Sequence, residues 1–446
     1  MGTEKLETTC CVVGAGPAGM MLGYLLARAG VDVTVLEKHN DFFRDFRGDT
    51  VHPSTLEVMH ELGILEEFLK VPHQKLTSTG GMFGEFAFRA ASFRHVPAHC
   101  KFVALMPQWD FLDFLSEQAK RFPSFGLRMQ HEVVDLIRDA GRIAGVEART
   151  PEGTVQIRAH LVIGCDGRHS ITRKAAQLEV LEFGVPIDVL WFRISRSGYD
   201  PEQLLGNINY GKALILINRG DYFQAGFLIR KGSFEEMKRN GLPAFRKSLR
   251  EIAPYLGDRV KEVQDWEEVK LLSVQLNRLK RWHRPGLLCI GDAAHAMSPV
   301  GGVGINLAIQ DAVAAANLLA RPLRERRVTD ALLGRVQCRR EFPTRVTQFL
   351  QVNVHNVFQR VFQTKAPMKA PWQLKFVVQI PGVQHVLGRV IGIGIRPEHI
   401  REARERRRFV KRRVRTIALS AGVITAVAVA AAQMFGSRTR QRYAGE

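Results

Sequence analysis

Cysteine is scarce in this chain and never patterned. There are six in 446 residues, with no Cys-x-x-Cys pair and no Cys/His group at zinc spacing. That excludes a disulfide scaffold and a structural zinc site, and the usage is that of a reducing cytosol. Cys10 and Cys11 are neighbours on an expected strand and point to opposite faces, so they are not a redox dithiol. The start lacks an apolar h-region and Leu6 breaks the N-myristoylation pattern, so no secretory signal or lipid anchor is expected there. No solenoid period, Ser/His/Asp triad or metal cluster is visible. Acidic residues are also short: the net charge is +20. Residues 401–446 hold twelve Arg/Lys against three Glu, leaving +11 for the first 400. Such a balance suits nucleic acid or anionic lipid.

What is present suits an α/β enzyme of about two or three domains. The stretch Thr9–Val13 is a buried-strand pattern, followed by Gly14-Ala15-Gly16-Pro17-Ala18-Gly19, an apolar helical run to Ala29, and a second strand ending on Glu37. This is a dinucleotide-binding fingerprint in its full context. Gly14 permits the tight turn, Gly16 lets the backbone approach a pyrophosphate, and Gly19 lets helix and strand pack closely. Pro17 suits the first helical turn, whose free N–H groups face the phosphates. Glu37 is placed to accept from ribose hydroxyls, and an acid there disfavours a 2′-phosphate, so FAD or NAD is expected rather than NADP.

Further along, Arg44 and Arg47 follow the second strand, either as a solvated loop or as contacts to a flavin pyrophosphate or an incoming nicotinamide. A helix opens at Pro53 with Ser54 as its expected cap, and Gln108 precedes an amphipathic helix. Strands are expected near Val134, at 155–158 and at 161–164, the last running into Asp166-Gly167 and a helix holding Ser170 and Arg173. Residues 180–275 read as a mostly antiparallel sheet with a hairpin at Asn218-Arg219-Gly220-Asp221. Trp191, Phe223, Gln224 and Phe227 there are pocket candidates, though each suits ordinary core better. Finally, a strand ends at Gly291-Asp292, and a glycine-rich loop through Pro299 leads into a long apolar helix beginning near Gly304, Ile305 and Asn306. Asp292 suits a polyol, and the amides near Gly304 suit a developing negative charge. His295 reads as a structural histidine.

These three motifs in order resemble the group A flavoprotein monooxygenases, the family of p-hydroxybenzoate hydroxylase and the ubiquinone-biosynthesis hydroxylases. The resemblance spans residues 8–350 and implies an α/β chain. A Rossmann-type FAD-binding domain would comprise 1–75, 100–180 and 276–350. An inserted, mostly antiparallel substrate domain would comprise 76–99 and 181–275, followed by a helical, basic C-terminal region at 351–415. It implies FAD held by Gly14, Gly16, Pro17, Ala18, Gly19, Glu37, Lys38, Arg47, Gln108, Val134, Asp166, Gly167 and Asp292, with backbone groups of Gly304, Ile305 and Asn306 at the N1/C2-carbonyl edge. Pro299, Gly304 and Ile305 would border the oxygen site through backbone, with no side-chain acid or base and no metal. NAD(P)H would reduce the flavin as a transient co-substrate, since no second fingerprint is present. O2 would then add at C4a, and the hydroperoxide would hydroxylate a small lipophilic aromatic, quinone-like or polyketide-like substrate. Val303 departs from the family, where Gln or Lys is frequent, and the thioredoxin-like domain of phenol hydroxylases is absent.

Residues 416–437 carry no charge and follow nine Arg/Lys in 401–415. A span of about 20 residues suffices to cross a bilayer. The heavier basic flank places the enzyme at the cytoplasmic face of an anionic membrane, tethered by 401–435, rather than on nucleic acid; the alternative is a soluble C-terminal helix. The competing functions are a reductase or dehydrogenase of the same fold, as in prenyl-chain reductases, and a non-catalytic membrane-tethered flavin-binding protein.

Overall fold

The computed structural model describes residues 4–43, 50–200, 206–364 and 366–401. Arg44, Arg47 and the tail beyond 401 lie outside them.

The strand Glu4–Val13 is central because apolar residues fill its last four positions and both its edges are paired. It lies parallel to Val33–Leu36 on one side and to Gly153–Gly164 on the other. Phe125–Arg128 extends the sheet beyond the former and Leu287–Cys289 beyond the latter, both parallel. The expected strands at 155–158 and 161–164 are one twelve-residue strand. Its two halves differ in their outer neighbour: the first pairs antiparallel with Arg142–Thr150, the second parallel with Leu287–Cys289. The helices Pro17–Arg28, Gln108–Ala119 and Gly304–Arg324 pack with this sheet in one large core.

A second sheet has seven strands, in the order 270–272, 187–195, 222–230, 212–218, 206–209, 78–83 and 86–92. All its pairings are antiparallel except that of 206–209 with 78–83. Strand alternation divides its faces. Phe192, Phe223 and Phe227 turn toward the helix Phe234–Ile252 and pack on Phe245 and Leu249. Trp191, Val189 and Leu228 turn the other way, into a core that includes Val300, Phe358 and Ile393. Phe223 and Phe227 are therefore core on the face away from the glycine-rich loop.

The C-terminal region is helical: Asp330–Val361, Trp372–Gln379 and Val383–Gly392. Along the first of these, apolar and polar residues both turn inward: Val361 is buried and Phe358 and Phe362 pack against a core of the second sheet, Thr344, Gln348, Gln351 and His355 are buried, and Phe349 is 54% exposed. Gln351 meets a loop whose backbone groups need partners. The Pro53–Leu62 helix is likewise capped at His52, not Ser54, since Pro53 occupies the first helical position. Among the described residues the stretch Val300–Arg324 is long and apolar enough to cross a bilayer, but 67% of its apolar 18-residue window is buried within the fold.

Candidate active site

The carboxyl ends of four adjacent parallel strands carry the sequence motifs: Gly14 after Val13, Glu37 after Leu36, Cys165-Asp166 after Gly164, and Gly291-Asp292 beyond Cys289. In open α/β sheets this edge is where ligands bind.

Gly14 has φ +97°, and a Cβ there would lie 2.6 Å from the Cys165 carbonyl oxygen. A Cβ on Gly19 would stand 1.9 Å from the Gly14 carbonyl oxygen. Both glycines are thus demanded by packing. Gly16 differs: a Cβ would meet nothing within 4 Å. Its missing side chain leaves open space at the start of Pro17–Arg28, whose N-terminus has no side-chain cap and no acid in its first turn. The uncapped N–H groups and the cradle beside them fit a pyrophosphate. Glu37 reaches over this loop, with Oε2 accepting from the Ala15 N–H at 3.1 Å and Oε1 from the His39 N–H at 3.2 Å. Lys38 is exposed beside it.

Asp166 turns back into its own corner. Its carboxylate accepts from the Ser170 hydroxyl at 2.6 Å and from the Thr172 N–H and hydroxyl at 2.9 and 2.8 Å. Ser170 in turn caps the helix Ile171–Ala175 by accepting from the Arg173 N–H at 3.0 Å. The Asp166 side chain is thereby spent on the turn, and Arg168 from the same corner reaches Asp292 at 3.5 Å. Arg173 donates to the Ala293 carbonyl at 3.5 Å, tying the second motif to the third. Arg168 carried no expectation from sequence; its only signal was its place two residues after Asp166.

Behind Asp292 stands a buried charge network. Asp311 accepts from the Gly291 N–H at 3.0 Å, from His295 Nε2 at 2.5 Å and from Arg340 Nε at 2.8 Å. Burial works to raise the Asp311 carboxyl, but His295 and Arg340 outweigh it and hold the pKa below the carboxylate range. His295 is accordingly a structural partner of Asp311, its ring tilted at 43° to that of Trp282.

The loop before Gly304 is fixed from two sides. Thr50 donates to the Gly302 carbonyl at 2.9 Å, and Asn306 Oδ1 accepts from the His52 N–H at 3.0 Å and the Thr55 hydroxyl at 2.7 Å. From the other side, Gln351 accepts from the Ser298 N–H at 3.2 Å and donates to the Ser298 and Val300 carbonyls at 2.9 and 3.0 Å. His355 Nε2 lies 2.7 Å from the Ser298 hydroxyl. Burial lowers His355 and His52 to about 4, so both are neutral. Among the described residues no side chain caps the helix Gly304–Arg324, so its first-turn amides remain to meet an electronegative group. Sequence reading missed Gln351 and His355, although Thr344, Gln348, Gln351 and His355 recur at helical spacing.

Gln108 begins its helix without a side-chain cap. Burial raises Asp110 in the same first turn, and Arg219 from the second sheet pulls against that, so the 218–221 hairpin approaches this helix. Val134 is half-buried on Glu132–Asp139. Burial pushes the Cys11 thiol up to about 12, and Cys165 and Cys289 are also raised, so the sulfurs near the motifs are unreactive. Among the described residues no three His, Cys, Asp or Glu side chains stand together in a metal-holding group.

The chain was compared with known proteins. Residues 7–350 match the model of the FAD binding domain family. Over 406 residues it is 29% identical to 6-methylpretetramide 4-monooxygenase of Streptomyces rimosus, covering 87% of this chain and 93% of that one. It is 29% identical to the rifampicin monooxygenase of Streptomyces venezuelae over 306 residues, 68% of this chain and 61% of the relative. The fold matches that of OxyS, the anhydrotetracycline hydroxylase from Streptomyces rimosus, with a TM-score of 0.68 at 20% identity, covering 87% of this chain and 77% of the other. The glycine cradle, the uncapped helix starts and the family match agree: the chain belongs to the FAD binding domain family and is an FAD-dependent oxidoreductase of the monooxygenase class.

Proposed function

We propose that this protein uses NAD(P)H and O2 to hydroxylate a lipophilic aromatic, quinone-like or polyketide-like substrate. The observation that carries the reading is the convergence of the Gly14–Gly19 loop, Glu37 and Asp292 at one sheet edge, next to two helix starts that no side chain caps. Relatives named as monooxygenases of 6-methylpretetramide and rifampicin support it.

FAD, when bound, supplies hydride acceptance and oxygen activation. The chain's residues do the rest. The open backbone at Gly16, with Pro17, Ala18 and Gly19, holds the pyrophosphate. Glu37, which accepts from the Ala15 N–H, would also accept from ribose hydroxyls, and Asp292, oriented by Arg168, would bind the ribityl chain. Gly167, Lys38, Arg47, Gln108 and Val134 are assigned supporting contacts. The backbone of Gly304, Ile305 and Asn306 would present donors to one edge of the ring, where the helix dipole favours negative charge. Pro299 borders the oxygen side. Gln351 holds the Ser298 and Val300 backbone and His355 the Ser298 hydroxyl, so that these donors do not drift.

Purified protein should be yellow, bleach anaerobically with NADH or NADPH, and on addition of ¹⁸O2 yield a product carrying one labelled oxygen per nicotinamide oxidised. Reduction with no labelled product from a turned-over substrate would favour the same-fold reductase. A colourless protein that takes up no FAD would overturn the assignment.

We further propose that residues 401–435 tether the enzyme to an anionic membrane surface. This rests on their sequence, nine Arg/Lys followed by an uncharged run.

A further inference from the structure

From Phe342 to Pro397 the sequence carries no Asp or Glu, while seven Lys/Arg fall in that stretch. Of the eleven large apolar side chains exposed among the described residues, six lie in the same stretch. Charge of one sign and uncovered apolar surface therefore coincide, and exposed apolar surface of that kind marks a contact with something other than water.

The coincidence is sharpest on the helix Trp372–Gln379, which Pro371 precedes and Pro381 follows. Its residues are Trp-Gln-Leu-Lys-Phe-Val-Val-Gln, mostly apolar, yet none of them is buried. One side packs against Phe86–Ser92, the edge strand of the second sheet, with Lys375 Nζ 5.6 Å from the centre of the Phe86 ring. The other side turns out Trp372, Phe376 and Ile380, at steps of four, and leaves them 71, 60 and 39% exposed. Lys369 and Lys375 are exposed beside them. The strand beneath adds Arg89 and no acid, and the turn before that strand carries Glu85. Aromatic rings and lysines on one helix face are the pairing that an interface between water and lipid selects, because the rings enter the acyl boundary while the ammonium groups stay at the headgroups.

We propose that this face of Trp372–Gln379 lies in the headgroup region of an anionic bilayer, with Trp372 and Phe376 inserted and Lys369 and Lys375 against lipid phosphates. A second copy of the chain fits the face poorly. A two-fold contact sets a patch against itself, and here it would oppose cations with no carboxylate from the 342–397 stretch to meet them. The contact adds a folded element to the tether proposed for residues 401–435 and does not depend on it. A single interfacial contact of this kind is weak and reversible, so the tail supplies the hold and this helix fixes which side of the fold meets the lipid.

The test adds phosphatidylglycerol/phosphatidylcholine vesicles with brominated acyl chains to the FAD-loaded full chain and follows tryptophan fluorescence. Residues 402–446 contain no Trp, so the tail cannot produce the signal. Wild type should be quenched, and Trp372→Leu should lose the quenching while still sedimenting with the vesicles. Phe376→Asp should weaken the lipid dependence of quenching about tenfold with FAD content and visible spectrum intact. Vesicles of phosphatidylcholine alone should weaken it at least about tenfold. Sedimentation with vesicles but no quenching overturns this contact and leaves the tail standing. Quenching together with sedimentation that survives deletion of residues 402–446 keeps the contact and removes the tail. Quenching retained in Trp372→Leu overturns the proposal, because another tryptophan then meets the lipid. A lipid-free dimer that Phe376→Asp dissociates, with no quenching in wild type, overturns it in favour of a second copy.

Discussion

The three glycines of the first loop do different work, and substitution should separate them. Gly16 has an extended backbone and open space around its Cα, so Gly16→Ala should leave the stability of the FAD-free protein within about 0.5 kcal/mol of wild type. The same methyl group would stand in the pyrophosphate's path, so FAD affinity, read by fluorescence titration, should fall at least tenfold. Gly19→Ala should instead fail at folding, since its Cβ would overlap the Gly14 carbonyl. Equal behaviour of the two variants would refute this division. Asp311 makes a second residue-scale case. Asp311→Asn leaves Arg340 buried beside a neutral amide, and breaking such a pair costs roughly 3–5 kcal/mol. Chemical denaturation should show that loss, with looser FAD binding because the Gly291 N–H loses its carboxylate acceptor. The glycine motif was legible in sequence because its offsets are local. Asp311 was not, because its partners lie 16, 20 and 29 residues away.

The element that reaches the glycine-rich loop from the C-terminal side is the helix Asp330–Val361. It presents Gln351 and His355 to the loop, and the Pro53–Leu62 helix presents His52 from the other side. Both histidines have pKa values near 4, below the ordinary imidazole value, because burial disfavours their charged forms. A depressed histidine gives stability that is complete above about pH 6.5 and is lost as pH falls toward 4, where the folded protein must also take the proton. Each contributes up to about 3 kcal/mol of that loss. The unfolding midpoint should therefore drop on acidification across this window, and His355→Gln should flatten the slope. An unchanged slope would show that His355 is not the titrating group. This helix was only half legible: its helical character could be read, but apolarity alone could not say which residues face inward, because Val361 and Phe358 turn in beside Gln348, Gln351 and His355 while Phe349 does not.

Over the whole molecule, two sheets enclose the loop that Pro299 to Asn306 form, and the C-terminal helices close a cavity beside it. Deleting residues 402–446 should leave FAD content and the rate of flavin reduction unchanged while moving the protein from the membrane pellet to the supernatant. A truncated protein that still sediments with anionic vesicles would remove the tail as anchor. By itself the sequence determined the dinucleotide site, the order of the three motifs and the α/β class with its inserted sheet. Each depends on short-range rules, such as where glycine is required, where a strand must stop and which residues alternate. Only the tertiary structure decided that Asp166 serves its own turn, that Phe223 and Phe227 face away from the loop, and that polar residues of one long helix hold the Ser298–Val300 backbone. Those outcomes depend on which buried donors and acceptors meet across more than fifty residues of chain, and on which sheet face a neighbouring element covers, neither of which is written in local spacing.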